Sequence, residues 1–291
     1  MTVPARPTPL FADIADVSRR LAETGYLPDT ATATAVFLAD RLRKPLLGGG
    51  APPGGHAGPG RAVAQATGSG LVRLQCYEGV DEARALYEWN HAKQILRIQA
   101  GSGDWEATKT DVFSEEFLLQ RPLLTAIRRT EPTVLLIDET DKADIEIEGL
   151  LLEVLSDFAV TVPELGTLTA TRAPFVLLTS NATRELSEAL KRRCLYLHID
   201  FPTPELERRI LLSRVPELPE HFAEELVRII GVLRGMQLKK VPSIAETIDW
   251  GRTVLALGLD TIDDAVVAAT LGVVLKHQSD QQRATGELRL N

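Results

Sequence analysis

The chain has 291 residues and a formal net charge of −8, with 44% hydrophobic and 25% charged residues. This length allows two domains and a sizeable buried core, and the apolar runs have only the length of strands, which excludes a transmembrane helix. The acidic balance, without a cluster of Lys and Arg, argues against a nucleic-acid partner. Two cysteines, Cys76 and Cys194, are too few for a disulfide framework. Because residues 1–11 also lack an apolar signal core, we expect a cytoplasmic protein with buried thiols.

The N-terminal part of the chain predicts helices, a strand and a glycine-rich loop. Residues 13–43 have the periodicity of two helices, which are separated at 25–28, with Asp29 and Thr30 as candidate caps of the second. The thirteen residues 48–60 contain seven glycines and three prolines. The elements expected around that loop are a strand at 44–47, a short helix at 61–67 and a second strand at 71–75.

The middle of the chain predicts the buried strands of a parallel sheet. Residues 133–137 are continuously apolar, as in a central strand covered on both faces, and Asp138 and Glu139 follow directly. A second such strand is expected at 175–178. The remaining elements expected here are mainly helical structure at 77–129 with an irregular portion at 89–111, a helix at 145–158, a hairpin at 160–171 and a last strand at 194–199.

A Phe-Pro-Thr-Pro segment at 201–204 marks a domain boundary. Beyond it the chain predicts four helices to residue 277 and then a polar, frayed tail at 278–291. We therefore expect N-terminal helices at 1–43, an α/β core at 44–200 and a helical domain at 201–277. Strands that alternate with helices, followed by helices alone, are typical of a three-layer α/β domain with a small helical domain after it.

Asp138 and Glu139 are candidate catalytic residues because ligands of open parallel sheets lie beyond the carboxyl ends of the strands. In a Walker B motif, Asp138 would hold Mg²⁺ through water and Glu139 would polarise the attacking water. The alternative interpretation is structural, since a strand must end in something polar and acidic residues cap the helix that follows. The continuous apolar run before the pair favours the functional interpretation.

Three further side chains are weaker candidates. Asn181 ends the next buried strand and could orient the hydrolytic water, although turns favour asparagine in any case. Arg192 or Arg193 could reach the γ-phosphate on a neighbouring subunit. Positive charge near the C-terminus of a helix is the simpler interpretation of those arginines.

Taken together, these motifs resemble the MoxR branch of AAA+ ATPases, and within it the ATPases encoded beside molybdenum-containing carbon monoxide dehydrogenases. The resemblance covers roughly residues 13–275 and is carried by RLQCYEG at 73–79, ALYEWN at 85–90, FSEEFLL at 113–119, LLIDE at 135–139, VPELG at 162–166, TSN at 179–181 and LKRRCL at 190–195.

The resemblance implies a P-loop AAA+ domain with a five-stranded parallel sheet of order 5-1-4-3-2 and an all-helical lid at 201–277. It also implies ATP and Mg²⁺ as cofactors, and a hexameric ring of identical subunits. The implied role is that of a chaperone for a protein client such as a molybdenum-containing dehydrogenase. In that branch, 89–111 is the helix-2 insert, 160–171 is the hairpin before the first sensor, and Arg192 or Arg193 is the arginine finger.

The chain departs from this family in two places. The segment at 243–247, where relatives carry a sensor-2 arginine, has none. The larger departure is the phosphate-binding loop, which reads GAPPGGHA at 50–57, so that His56 stands at the position of the lysine and Ala57 at that of the hydroxyl residue. The loop positions expected to approach a nucleotide are Gly50, Gly54, Gly55, His56 and Ala57.

These changes predict a weakened nucleotide site. Glycines still allow backbone N–H groups to face a phosphate, but Pro53 supplies no N–H. An unperturbed histidine titrates near ~6.5, so His56 would be mostly neutral at pH 7, and the loss of a charge-assisted contact costs roughly 1.5–3 kcal/mol. Ala57 has no atom that could ligate Mg²⁺. Glycines at 58 and 60 would weaken the helix behind the loop.

Two functions therefore compete. One is a MoxR-type AAA+ ATPase that acts in metalloenzyme assembly, and the acidic pair and Asn181 favour this function. The other is a non-hydrolysing AAA+ scaffold, which the altered loop favours. A DNA-dependent initiator is disfavoured by the negative charge.

Overall fold

A computed structural model describes residues 8–50, 57–100, 111–181, 183–259 and 261–288 of the chain. The described residues form two compact units, one mainly within 28–198 and the other consisting chiefly of residues after His198. The strands are β1 Leu46–Gly49, β2 Gly70–Gln75, β3 Tyr87–Trp89, β4 Leu118–Gln120, β5 Thr133–Asp138, β6 Ala159–Val162, β7 Gly166–Thr169, β8 Phe175–Ser180 and β9 Leu195–His198.

The helices of the first unit are α1 Ile14–Glu23, α2 Thr30–Leu42, α3 Ala57–Thr67, α4 Glu82–Ala85, α5 His91–Ala100, α6 Pro122–Arg128, α7 Ile145–Asp157 and α8 Glu188–Arg193. Those of the second unit are α9 Pro204–Arg214, α10 Glu220–Gly235, α11 Ile244–Leu257, α12 Asp264–Val274 and α13 Gln278–Glu287. In the part of the chain that the structure describes, no helix is long and apolar enough to cross a membrane.

The first unit is an α/β domain built on a five-stranded parallel sheet, as predicted. The order of its strands is β2-β5-β8-β1-β9. The expected order 5-1-4-3-2 counts only the strands of this sheet, whereas the labels used here also count four strands outside it. When only the five strands of the sheet are numbered along the chain, the order read from β9 is 5-1-4-3-2. Every residue of β5 and β8 is buried, so both faces of the sheet centre are covered.

Two antiparallel strand pairs accompany the sheet. The predicted hairpin at 160–171 is confirmed as β6 and β7, in which Val162 pairs with Gly166. The pair β3–β4 was not expected, and the segment 89–111, expected to be irregular, contains the end of β3 and the helix α5. Each of these strands has three residues and lies among helix-forming residues. An alternation of polar and apolar residues over so short a length does not predict a strand.

The helix behind the glycine-rich loop begins at Ala57 and not at residue 61. Its Gly60 lies over the sheet, where a Cβ atom would come within 3.1 Å of Leu177 and 3.2 Å of Leu136. The glycine therefore allows a close approach of helix and sheet, a role that was not predicted beside the expected weakening of the helix. Asp29, expected as a cap, accepts a hydrogen bond from Thr32 N at 2.7 Å.

Both cysteines are buried thiols, as predicted. Burial raises the pKa of Cys76 to about 12, and the nearby carboxylates of Asp138, Asp141 and Glu139 add to that effect. Burial also raises the pKa of Cys194 to about 12. Both thiols are therefore protonated and unreactive at neutral pH.

The second unit has its own apolar core around Trp250, which is fully buried. A buried ion pair is part of this unit, with Arg234 Nη2 2.8 Å from Glu207 Oε1. The polar tail expected to fray at 278–291 instead contains α13. Its Asp280 accepts hydrogen bonds from Lys239 N at 3.1 Å and Lys240 N at 3.2 Å, and these tie the helix to the unit in spite of its polar composition.

Candidate functional site

Asp138, the last residue of β5, is the centre of a polar cluster at the carboxyl edge of the sheet. Its Oδ1 accepts a hydrogen bond of 2.5 Å from Thr179 Oγ1 on the adjacent strand β8. Its Oδ2 lies 2.5 Å from Arg73 Nη2 on the other adjacent strand, β2. Both oxygens are thus occupied, and the arginine balances the charge of a carboxylate that is only 7% exposed.

Glu139 follows with a left-handed backbone, φ 56° and ψ 46°, which is unusual for a residue with a side chain. Its backbone N donates to Thr179 Oγ1 at 2.9 Å. The same hydroxyl therefore bridges the two acidic residues. This conformation sends the chain from the buried strand into a short 3₁₀ helix at Thr140–Lys142.

Three side chains hold the carboxylate of Glu139. Gln75 Nε2 at the end of β2 and Lys142 Nζ contact its Oε2, at 2.9 and 2.7 Å. Asn181 Nδ2, beyond the end of β8, lies 3.4 Å from its Oε1. The hydrogen bond to Glu139 raises the pKa of Lys142, so this ammonium stays charged beside the carboxylate.

The segment after β8 is fixed by a third acidic residue, Asp141. Its Oδ1 accepts from Asn181 N at 3.1 Å, and its Oδ2 accepts from Thr183 N at 2.9 Å and Thr183 Oγ1 at 2.5 Å. Burial alone would raise the pKa of Asp141, but the hydrogen bonds from Thr183 and Asn181 together lower it. Asp141 is thus a buried anion that holds Asn181 in place beside Glu139.

The strand that leads into the glycine-rich loop ends next to this cluster. Gly49 of β1 is level with Ser180 of β8, one residue beyond the Thr179 that bridges the acidic pair. Gly50 has a φ of 133°, which only glycine adopts readily. Gly54, Gly55 and His56 lie outside the described residues. Ala57 is the first residue of α3, and its side chain is also outside the described part.

Arg192 and Arg193 lie on the last turn of α8, at the opposite end of that helix from its cap Ser187. The guanidinium of Arg193 donates to Ser156 Oγ at 2.7 Å and to the carbonyl of Ala189 at 3.2 Å. Arg192 is exposed. The structure brings Asp138, Glu139 and Asn181 together, and neither arginine contacts any of these three in this chain.

The donor set does not fit a directly bound Mg²⁺ in this arrangement. Both carboxylate oxygens of Asp138 are engaged, one by the hydroxyl of Thr179 and the other by the cationic Arg73. Among the described residues, no group of three or more His, Cys, Asp or Glu side chains has the arrangement of a metal site. The side chain of alanine at position 57 supplies no ligand atom either.

Sequence reasoning assigned no role to Arg73, Gln75, Lys142 or Thr179, although each contacts the acidic pair. The sequence contained part of the evidence for these contacts. Arg73 and Gln75 are two residues apart and so lie on the same face of a strand, and Thr179 directly follows the apolar run at 175–178. Their roles depend on the register that sets Gln75 opposite Asp138, which spacing along the chain does not determine.

Neither the comparison with protein-family models nor that with curated proteins finds a match for this chain.

Proposed function

We propose that the chain is a MoxR-type AAA+ protein that acts as a chaperone in metalloenzyme assembly and that binds and hydrolyses ATP weakly. The observation that carries this proposal is the cluster in which Asp138, Glu139 and Asn181 meet at the carboxyl edge of the sheet, beside the end of the strand that leads into the glycine-rich loop. Ligands of open parallel sheets lie at this edge.

The strand order supports a nucleotide at this position. β8 lies between β1, which leads into the glycine-rich loop, and β5, which carries the acidic pair. A phosphate chain held by backbone N–H groups at the start of α3 would therefore face Glu139 across the end of a single strand. The loop itself supplies His56 and alanine in place of lysine and a hydroxyl residue, and weak binding follows from that chemistry.

The same cluster supports a second candidate, a non-hydrolysing scaffold of AAA+ type. The specific observation is that Arg73 and Thr179 occupy both oxygens of Asp138. A carboxylate neutralised in this way attracts a cation less strongly than a free one. In this alternative the fold holds subunits together in a ring and the client is bound without turnover.

One experiment separates these functions. ATP binding and turnover are measured for the unaltered chain, for His56→Lys with Ala57→Thr, and for that double variant with Glu139→Gln. We expect little turnover in the unaltered chain, a rise of at least about tenfold in the double variant, and loss of that gain with Glu139→Gln. Equal turnover in the first two proteins would contradict the weak site. Absence of both binding and turnover in the double variant would contradict a nucleotide site at this edge.

The chaperone role has a separate test. The chain is co-expressed with a molybdenum-containing dehydrogenase as the client, and the metal content and activity of the purified dehydrogenase are measured. We expect both to fall when the chain is omitted. The proposed client class is wrong if the dehydrogenase matures equally well without it.

A further inference from the structure

A second polar site lies at the other end of the same sheet. Here a cavity of about 700 Å³ is lined by the residues that precede the strands, including Pro45 before β1, Pro132 before β5 and Pro174 before β8. We call it the basic cavity. β5 has six residues, so roughly 16–20 Å of strand separate this cavity from the acidic pair. The two sites are therefore independent.

The charges around the basic cavity are unbalanced. Its lining contains four cations, Arg41, Arg43, Lys44 and Arg172, and a single carboxylate, Asp40. The whole chain has more acidic than basic residues, 40 against 32, so this local excess of positive charge runs against the average. The expectation that the chain has no cluster of Lys and Arg is therefore wrong at this place, where Arg172 joins the three cations of the segment 41–44.

Two of these five charged groups are used by the structure. Asp40 Oδ2 accepts hydrogen bonds from Leu10 N at 2.9 Å and Phe11 N at 3.2 Å. Arg41 Nη2 donates to the carbonyls of Phe11 and Ala12 at 3.2 and 2.7 Å. These contacts fix the segment at Leu10–Ala12 to α2 and build one wall of the cavity.

The other three cations do not stabilise the fold in this way. Within the described ranges, the side chains of Arg43, Lys44 and Arg172 form no ion pair and no hydrogen bond with a protein group. Three uncompensated cations around one concave surface repel each other, and an anion would relieve that repulsion. Two guanidinium groups and one ammonium group are the donors that proteins use for phosphate.

Two helices end at the basic cavity. Arg43 and Phe158, which both line it, have positive φ values of 53° and 47°. They are two of the three non-glycine residues with positive φ among the described residues, and the third is Glu139 of the acidic cluster. Ala170 N donates to the carbonyl of Phe158 at 2.8 Å, which holds this conformation. Both residues are the C-caps of helices, α2 and α7, and a left-handed backbone is common at that position. The conformation therefore belongs to the helix ends that border the cavity.

We propose that the basic cavity binds a small organic phosphate that carries an apolar group. The volume is within the range for small-molecule pockets. The cations would bind the phosphate, while Phe158, Phe175 and the prolines would contact the apolar group. A long polyanion such as RNA fits less well, because the net charge of the chain is −8.

The test is isothermal titration calorimetry of the full chain with phenyl phosphate as the probe. Inorganic phosphate and benzyl alcohol are the two comparison ligands. We expect phenyl phosphate to bind at one site, inorganic phosphate to bind more weakly, benzyl alcohol not to bind measurably, and the affinity for phenyl phosphate to fall with added salt. Equal binding of benzyl alcohol, or no binding of phenyl phosphate, would overturn the proposal.

Matched variants locate the site. Lys44→Ala with Arg172→Ala removes two of the three free cations and should weaken phenyl phosphate binding by at least about tenfold. Lys239→Ala with Arg209→Ala removes the same charges from exposed positions in the second unit and should leave the affinity unchanged.

Equal affinities in the two double variants would refute the assignment to this cavity. The single change Arg172→Gln removes the charge but keeps a polar, unbranched side chain, and it provides a second measurement should the first double variant fail to fold. It should weaken binding several-fold, and an unchanged affinity would again contradict the site.

Discussion

The guanidinium of Arg73 contacts the carboxylate of Asp138 across two adjacent strands, with Nη2 2.5 Å from Oδ2. The arginine side chain is about two-fifths exposed while that of the aspartate is nearly buried. A partly exposed guanidinium therefore neutralises a nearly buried carboxylate. We therefore expect this contact to affect both the stability of the acidic cluster and its affinity for cations.

Replacing Arg73 with methionine should have two opposite effects. The variant keeps the apolar stem but leaves Asp138 without its cation, which should lower the free energy of unfolding by about 1–2 kcal/mol. Because the carboxylate is then uncompensated, added Mg²⁺ should stabilise the variant more than the unaltered chain. Chemical denaturation with and without MgCl₂ measures both effects. Identical Mg²⁺ responses in the two proteins would show that Arg73 does not control cation binding.

The hydroxyl of Thr179 should matter more than its methyl group, because it bridges Asp138 Oδ1 and Glu139 N. Thr179→Val preserves the volume and removes both hydrogen bonds in a fully buried position, so we expect a loss of about 1–3 kcal/mol. Thr179→Ser keeps the hydroxyl and is the control, with a smaller loss. Denaturant midpoints provide the measurement, and a serine variant as unstable as the valine variant would assign the role to the methyl group.

The left-handed backbone of Glu139 predicts a difference between two simple replacements. Alanine and glycine both remove the carboxylate, but only glycine adopts a φ of 56° without strain. Glu139→Gly should therefore be more stable than Glu139→Ala by about 1 kcal/mol, the reverse of the usual order. Thermal or denaturant unfolding of the two variants checks this. A more stable alanine variant would mean that the strain is absent.

The stability contributed by Asp141 should depend on pH. Hydrogen bonds from Thr183 and Asn181 lower the pKa of this group below its ordinary value of 3.8 in the folded chain. A carboxyl group of this kind contributes stability above its unfolded pKa and loses it as the pH falls through the lower, folded pKa. Asp141→Asn should therefore cost about 1–3 kcal/mol at pH 7 and progressively less below pH 3.8.

The control for this titration is Asp249→Asn, at an exposed position on α11, which should have little effect at any pH. Free energies of unfolding of the three proteins are compared across the acid range. A difference between Asp141→Asn and the unaltered chain that stays constant with pH would contradict the hydrogen-bonding role of the carboxylate.

Two glycine-to-alanine changes in helices should differ in outcome. No atom lies within 4 Å of a Cβ added at Gly149, on the exposed face of α7, so alanine should stabilise the chain there by about 0.5–1 kcal/mol. At Gly60 the same atom would approach Leu177 and Leu136, and that gain should be absent or reversed. Equal stabilisation in unfolding experiments would mean that α3 does not pack closely on the sheet.

The sequence predicted the parts of this fold that depend on continuous patterns. The apolar run at 133–137 and that at 175–178 are long enough to identify buried strands, and both have polar residues at the edge where ligands bind. That was sufficient to select Asp138, Glu139 and Asn181 as one group.

The partners of that group could not be predicted in the same way. The contact between Arg73 and Asp138 joins residues 65 positions apart and depends on the register of β2 and β5. The three free cations of the basic cavity also come from separate segments, with Arg43 and Lys44 after α2 and Arg172 before β8. Local periodicity contains no information on such distances.

The attachment of α13 has a practical consequence for work with shortened forms of this protein. Ending the chain at residue 277 would remove Asp280, and the backbone amides of Lys239 and Lys240 would lose their acceptor. It would also uncover the apolar surface against which Ala284 is fully buried. Shortened forms of the chain should therefore keep the polar C-terminal helix, since its removal would loosen the packing around Trp250 and promote aggregation.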